Sequence, residues 1–188
     1  MPAAADDAKT LARGLRRRDP ELLDCLIERY QYRLFRYLLY LTGNREAAED
    51  LFQETWIRVF DRGGQYDGRA RFETWLFSIA RHLTIDAGRR RKLESLDWAG
   101  AEGGEAREPA DGCRSPAELI AARQEAGALL SSLEKLPAAS REALLLRFQE
   151  ELTLEEIAAV TGAPLSTVKS RLYRGLKELR TMLEGEIR

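Results

Sequence analysis

Residues 97–115 (DWAGAEGGEAREPADGCRS) constrain the fold of this chain more than any other stretch. Glycine, alanine and glutamate dominate them, Pro109 interrupts them, and large apolar side chains are scarce. Such a segment buries too little surface to offset the entropy of ordering it, so it reads as a flexible, acidic linker. The flanking sequence is then expected to fold as two separate small domains, 1–94 and 116–188, with 95–115 between them.

Both flanks carry helical periodicity, and neither shows the apolar–polar alternation of a strand. Leu11 and Leu15 begin a first stripe, and Asp19-Pro20 offers a cap with proline at the first helical position. Apolar residues then recur at 23, 26, 27, 30, 34, 37, 38 and 41. Gly43 is placed to end that helix and Asn44 to cap the next, which spans 45–62 and stops at Gly63-Gly64. A fourth helix is expected over about 71–91. Beyond the linker, Ser115, Pro116 and Glu118 signal a restart, with helices over 116–135, 138–149, 153–161 and 165–184. The expected fold is all-α.

Composition excludes several classes of function. No run approaches the roughly 18 uncharged apolar residues that a membrane span needs. The start (MPAAADD) has neither a basic n-region nor an apolar core, so no secretory signal is expected and the location is read as cytoplasmic. Cys25 and Cys113 lie 88 residues apart, which excludes a disulfide framework; they read as an inert core thiol and a linker thiol. His82 is the single histidine. With no Cys/His ligand set, no Gly-rich phosphate loop and no nucleophile beside a base, no metal, cofactor or enzymatic activity is expected. The net charge of −1 hides a division. Residues 1–92 carry 18 Lys and Arg against 14 Asp and Glu, 93–125 carry 3 against 8, and 165–188 carry 6 against 3. Two basic regions flanking an acidic one point towards nucleic acid.

The most specific motif is residues 153–173 (TLEEIAAVTGAPLSTVKSRLY). A helix-turn-helix needs a small residue at the helix crossing, a tight turn four residues later and a branched apolar anchor six further on. Ala158, Gly162 and Val168 meet that spacing. Leu154, Ile157, Leu165 and Leu172 complete a small core, and Thr153 with Glu156 forms a capping box. The second helix presents Ser166, Thr167, Lys169, Ser170, Arg171, Tyr173, Arg174 and Lys177. Lys and Arg there can reach guanine acceptors, and Ser or Thr can hold phosphates. The plainer alternative is a basic amphipathic helix in a bundle.

Two further faces stand out in the first domain. Leu51, Phe52, Thr55, Trp56, Val59 and Phe60 form the apolar side of helix 45–62. Glu46, Glu49, Asp50, Gln53 and Glu54 form an acidic stripe, whose repulsion a basic protein partner would relieve. A solvated face is the alternative. Residues 66–92 interleave Tyr66, Phe72, Trp75 and Phe77 with Arg69, Arg71, Arg81 and 89–92, a stacking platform beside a cationic track. Trp75, Leu76, Ile79, Phe72 and Phe77 read as core before they read as ligands.

Three segments in this order together resemble the extracytoplasmic-function branch of the bacterial sigma factors. They are RYQYRLFRYLLYLTGNREAAEDLFQETWIRVF, YDGRARFETWLFSIARHLTIDAGRRR and LPAASREALLLRFQEELTLEEIAAVTGAPLSTVKSRLYRGLKEL. The resemblance implies that Glu49, Asp50, Gln53 and Glu54 dock on the β′ clamp helices of core RNA polymerase. It implies that Tyr66, Arg81, His82, Thr84, Arg89, Arg90 and Arg91 bind the minus-ten promoter element, with a short loop at 81–84 taking up a flipped base of the melted non-template strand. Ser166, Thr167, Lys169, Ser170, Arg171, Tyr173 and Arg174 would read the minus-thirty-five duplex, beside the β flap. The linker would follow the polymerase's active-site cleft and RNA exit path, and an anti-sigma factor would restrain the protein. One departure is His82, where many relatives carry asparagine after Ala-Arg; the resemblance does not give its preferred base. A stand-alone helix-turn-helix regulator is the rival reading, and it needs neither the acidic face nor the aromatic–arginine segment.

Overall fold

A computed structural model describes residues 3–94, 132–133 and 135–186. Every regular element among them is helical. The first domain contains α1 (Ala3–Arg17), α2 (Pro20–Thr42), α3 (Arg45–Arg62), a 3-10 turn (Gly63–Gln65) and α4 (Phe72–Glu94). Later in the chain follow α5 (Ala138–Phe148), α6 (Leu154–Thr161) and α7 (Leu165–Glu186). The linker at 95–115, with Cys113, and most of the helix expected over 116–135 lie outside the described residues.

Local signals start and stop the first helices. The Asp19 carboxylate accepts from the backbone N–H of Glu21 at 3.1 Å and of Leu22 at 3.4 Å. Pro20 follows where a missing N–H costs nothing. At the other end of α2, Gly43 turns left-handed and donates its N–H to the Leu39 carbonyl at 2.9 Å. Asn44 then accepts from Ala47 N–H at 2.9 Å, opening α3. At Gly63-Gly64 the chain tightens into the 3-10 turn before leaving the helical path.

The apolar stripe of α2 (Leu26, Tyr30, Leu34, Tyr37, Leu38) is buried between α3 and α4. From α3 come Leu51, Trp56 and Val59; from α4 come Phe72, Leu76, Phe77, Ala80 and Leu83. Tyr37 meets Phe77 edge-on with centroids 5.0 Å apart. Each fully buried side chain of this size contributes about 1.5–3 kcal/mol. Two sequence expectations fail here. Phe60, placed on the apolar face, is 41 % exposed, and Cys25 is an exposed thiol and not a core one. The stripe that buries Leu26 and Tyr30 leaves the neighbouring position 25 facing solvent.

In the second domain α5 packs against α7 through Ala143, Leu144 and Leu146 on one side and Leu172 and Leu179 on the other. Gly175 lies at their contact: a Cβ there would sit 2.9 Å from Leu144 Cδ1 and 3.3 Å from Ser140 Cβ. Arg147 Nη1 donates to the Leu152 carbonyl at 2.9 Å and closes the loop after α5. In α6, Ile157 and Val160 are buried while Leu154 and Ala158 are half-buried. Gly162 ends α6 with φ 63, the left-handed turn that the motif requires. Pro164 then accepts the N–H groups of Thr167 and Val168 at 2.9 and 3.1 Å, which starts α7.

Candidate nucleic-acid and protein interfaces

The acidic stripe lies on α3 as expected, with Glu46, Glu49, Asp50 and Gln53 exposed and Glu54 half-buried. Its electrostatics differ from four mutually repelling carboxylates. Arg45 Nε pairs with Glu49 Oε1 at 2.8 Å, and Arg58 Nε pairs with Glu54 Oε1 at 3.0 Å, both four residues apart. Glu46 and Asp50 carry no ion pair among the described residues. Exposed pairs of this kind are worth about 0.3–0.5 kcal/mol. The stripe continues into Ile57, 54 % exposed, and Phe60, over which the Arg18 guanidinium lies at 5.1 Å. Ile57 was missed in the sequence. Its spacing of seven from Asp50 was the available signal, because residues seven apart share a helical face.

Around α4 the structure separates residues that the sequence grouped. Tyr66 is 3 % exposed; its ring packs on Phe72 and Trp75 at 5.8 and 5.3 Å, and its hydroxyl donates to the Ala70 carbonyl at 2.8 Å. It is a packing residue here and offers no free face to a base. Burial, with Glu73 and Asp67 nearby, pushes its phenol up. Residues 81–84 are not a loop, since α4 runs through them unbroken. The stretch SIARHLTIDA holds neither proline nor glycine to interrupt it. His82 is exposed, and its Nδ1 lies 2.6 Å from the Ser78 carbonyl. A carbonyl oxygen only accepts, so Nδ1 is the donor in this contact. Arg81 is half-buried, Thr84 donates to the Ala80 carbonyl at 2.9 Å, and Arg89 and Arg90 are exposed. At 100° per residue His82 and Arg89 share a stripe, while Thr84 falls on the other side of the helix. Arg91 belongs to α4, but its side chain lies outside the described residues.

A buried polar cluster beside this helix was not foreseen. Glu73 accepts from Arg71 Nη2 at 3.2 Å and from the Tyr30 phenol, while Arg29 and Arg33 each lie 5.5 Å from the Tyr30 ring centre. Burial would raise the Glu73 carboxyl, but its own backbone N–H, Arg71 and Tyr30 outweigh it and hold it below the usual value. Burial and the Glu73 charge push Tyr30 up to about 12. No local signal joins positions 30 and 73, because only the tertiary fold brings them together.

On α7, Ser166, Lys169, Tyr173 and Arg174 are exposed, while Thr167, Ser170 and Arg171 are half-buried. Tyr173 stands 71 % exposed, and Arg174 Nη2 donates to Ser170 Oγ at 3.0 Å. Val168 and Leu172 point inward and fix the outward register of the rest. Cationic, hydroxyl and aromatic groups thus share the first half of one helix.

Residues 26–94 match Sigma-70 region 2, and residues 126–179 match Sigma-70, region 4. The chain belongs to the extracytoplasmic-function RNA polymerase sigma factors. It is 31 % identical to SigX of Bacillus subtilis over 87 % of this chain and 84 % of that one. It is 29 % identical to SigW of the same organism over 93 % of this chain and 96 % of that one. SigE of Mycolicibacterium smegmatis is 38 % identical over 85 % of this chain, which spans 61 % of that relative. The fold resembles that of the sigma factor RpoE of Bartonella quintana, solved in complex with the anti-sigma factor NepR. The TM-score is 0.72 at 23 % identity, covering 86 % of this chain and 96 % of that one.

Proposed function

We propose that this protein is a promoter-specificity subunit: it binds core RNA polymerase, places two helical domains on two promoter elements, and leaves the chemistry to the polymerase. The observation that carries this reading is the presence of both sigma regions in one chain. The acidic helix and the basic helix, one in each domain, fit a division between protein docking and DNA reading. The domains extend over 1–94 and 116–188, with 95–115 as the connecting linker. A stand-alone regulator would have no use for the first of these faces.

In this reading Glu49, Asp50, Gln53 and Glu54 meet the β′ clamp helices, with Ile57 and Phe60 adding apolar area. The second domain sits beside the β flap. Arg81, His82, Thr84 and Arg89–Arg91 serve the minus-ten element, and the exposed imidazole of His82 offers a ring that can stack on an unstacked base of the non-template strand. Tyr66 supports that helix from beneath. Residues 166–174 of α7 read the minus-thirty-five duplex. The protein acts in the cytoplasm, where the polymerase is. An anti-sigma factor restrains it, in keeping with the solved RpoE–NepR pair. Among the described residues no helix is long and apolar enough to cross a membrane, and no group of His, Cys, Asp or Glu could hold a metal ion.

The docking assignment is tested with Asp50→Arg combined with Gln53→Ala. Both positions are exposed, so helicity should be unchanged while affinity for core polymerase falls at least tenfold, about 1.4 kcal/mol or more. Titration of labelled protein against core enzyme measures this. Unchanged affinity removes α3 from the interface.

A further inference from the structure

Helix α1 lies outside both sigma regions, the first of which begins at residue 26. Its main contact is nevertheless with the connection between α3 and α4. Leu15, only 2 % exposed, seats on the 3-10 turn. A Cβ at Gly63 would stand 2.9 Å from the Leu15 carbonyl oxygen and 3.2 Å from Leu15 Cβ. Five residues on, Gly68 turns left-handed with φ 73, and a Cβ there would stand 3.0 Å from the Ala8 carbonyl oxygen. Two glycines thus let the α1 backbone lie directly on this connection. The end of α1 is tied down as well. The N–H groups of Arg18 and Asp19 donate to the carbonyls of Leu15 and Gly14, both at 3.1 Å. Arg18 takes φ 55, a conformation that persists where surrounding contacts fix it, and its guanidinium lies over Phe60 near the end of α3. The connection is itself closed by short bonds. Tyr66 N–H donates to the Gly63 carbonyl at 3.2 Å, and Arg69 N–H donates to Asp67 Oδ1 at 2.9 Å. From there the Tyr66 ring bears on Phe72 and Trp75 in the first turn of α4. Closely packed groups leave little slack, so a shift of α1 is passed to the start of α4.

We infer that α1 is a strut: braced on Phe60 at one end and on Gly63 and Gly68 along its side, it fixes the pose of α4 relative to the docked α3. Leu15 and Arg18 are positioning residues, acting through the 63–71 connection and Tyr66. This role rests on the reading of α3 as the polymerase-docking helix and of α4 as the minus-ten helix. It adds a third element, which touches neither partner. Seating α3 on the polymerase then sets where α4 meets the promoter, and loosening α1 costs promoter opening without costing docking.

The full-length protein is bound to core polymerase, and open complexes are measured by permanganate reactivity on a promoter recovered from a randomised pool by the wild-type complex. Leu15→Ala empties the seat on the 3-10 turn, and Gly68→Ala drives a Cβ against the Ala8 carbonyl. Each variant should keep the wild-type affinity for core polymerase and form about tenfold fewer open complexes. Leu15→Met, which conserves volume, should restore opening. The double variant should open no worse than either single one, because both release the same strut. Amide exchange in the polymerase complex should quicken over 63–75 and stay unchanged across α2 and α3. Core affinity falling in step with opening, or exchange quickening throughout the domain, overturns the inference by showing that α1 only supports the fold. Wild-type opening in both single variants also overturns it. Arg89→Ala combined with Arg90→Ala separates the two claims. If that pair lowers opening and Leu15→Ala does not, only the strut fails. If the pair leaves opening and base preference unchanged, the reading of α4 fails and the strut with it.

Discussion

Glu73 stands at the start of α4 with 8 % of its surface exposed, and its charge is satisfied by its own backbone N–H, Arg71 and the Tyr30 phenol. Because its folded pKa lies below the ordinary 4.5, it stabilises the fold above that value. The contribution is lost as pH falls through the folded pKa. Tyr30 works in the other direction. Its folded pKa of about 12 exceeds the ordinary 10, so its contribution is complete below pH 10 and fades as pH rises towards 12. Glu73→Gln should destabilise the protein by about 1–3 kcal/mol at neutral pH, the range for breaking a buried charged hydrogen bond. Chemical denaturation between pH 7 and pH 3 checks this, and the gap between wild type and variant should narrow only in the acid range. A constant gap would mean that the carboxylate's charge is not what matters. None of this cluster was legible in the sequence, because a tyrosine in one helix and a glutamate in another carry no shared local pattern. The same limit applies to Tyr66, whose residue type fits a buried ring and a stacking platform equally well. The pairs Arg45–Glu49 and Glu54–Arg58, by contrast, were legible at four-residue spacing, and they remove much of the repulsion otherwise attributed to α3.

At the scale of elements, helix starts and stops were the most legible feature. Asp19, Gly43 and Asn44 each act through a neighbour within four residues and Gly162 through its own left-handed turn, so their signals survive without knowledge of the fold. The loop expected at 81–84 came from the family resemblance and not from the residues. Local propensity, with no proline or glycine from Ser78 to Ala87, keeps α4 continuous through 81–84. Gly175 marks where packing overrides propensity. Alanine there gains about 1 kcal/mol of helix propensity. Its Cβ, however, must displace Leu144, which is 3 % exposed, and overpacking a filled site costs about 1–3 kcal/mol. Gly175→Ala should therefore lower stability by about 1 kcal/mol in the wild type and should cease to do so in a Leu144→Val background, where the opposing methyl is gone. Thermal melts of the four proteins in this cycle measure the coupling. Equal effects in both backgrounds would show that Gly175 is not needed for the α5–α7 approach.

At the scale of the whole molecule, the proposed function divides protein docking and DNA reading between two domains and leaves the reaction to a partner. That division follows from the order of the sigma regions along the chain together with the charge of the helices that carry them. It explains why an acidic helix and a basic one coexist in a chain whose net charge is only −1. The most direct measurement is transcription in vitro from a library of randomised promoters, with purified core polymerase and with or without this protein. The account predicts transcripts only when both are present, from templates that share two conserved elements, and little sequence-selective duplex binding by the protein alone. Selective operator binding without polymerase, with no gain in transcription when polymerase is added, would contradict it.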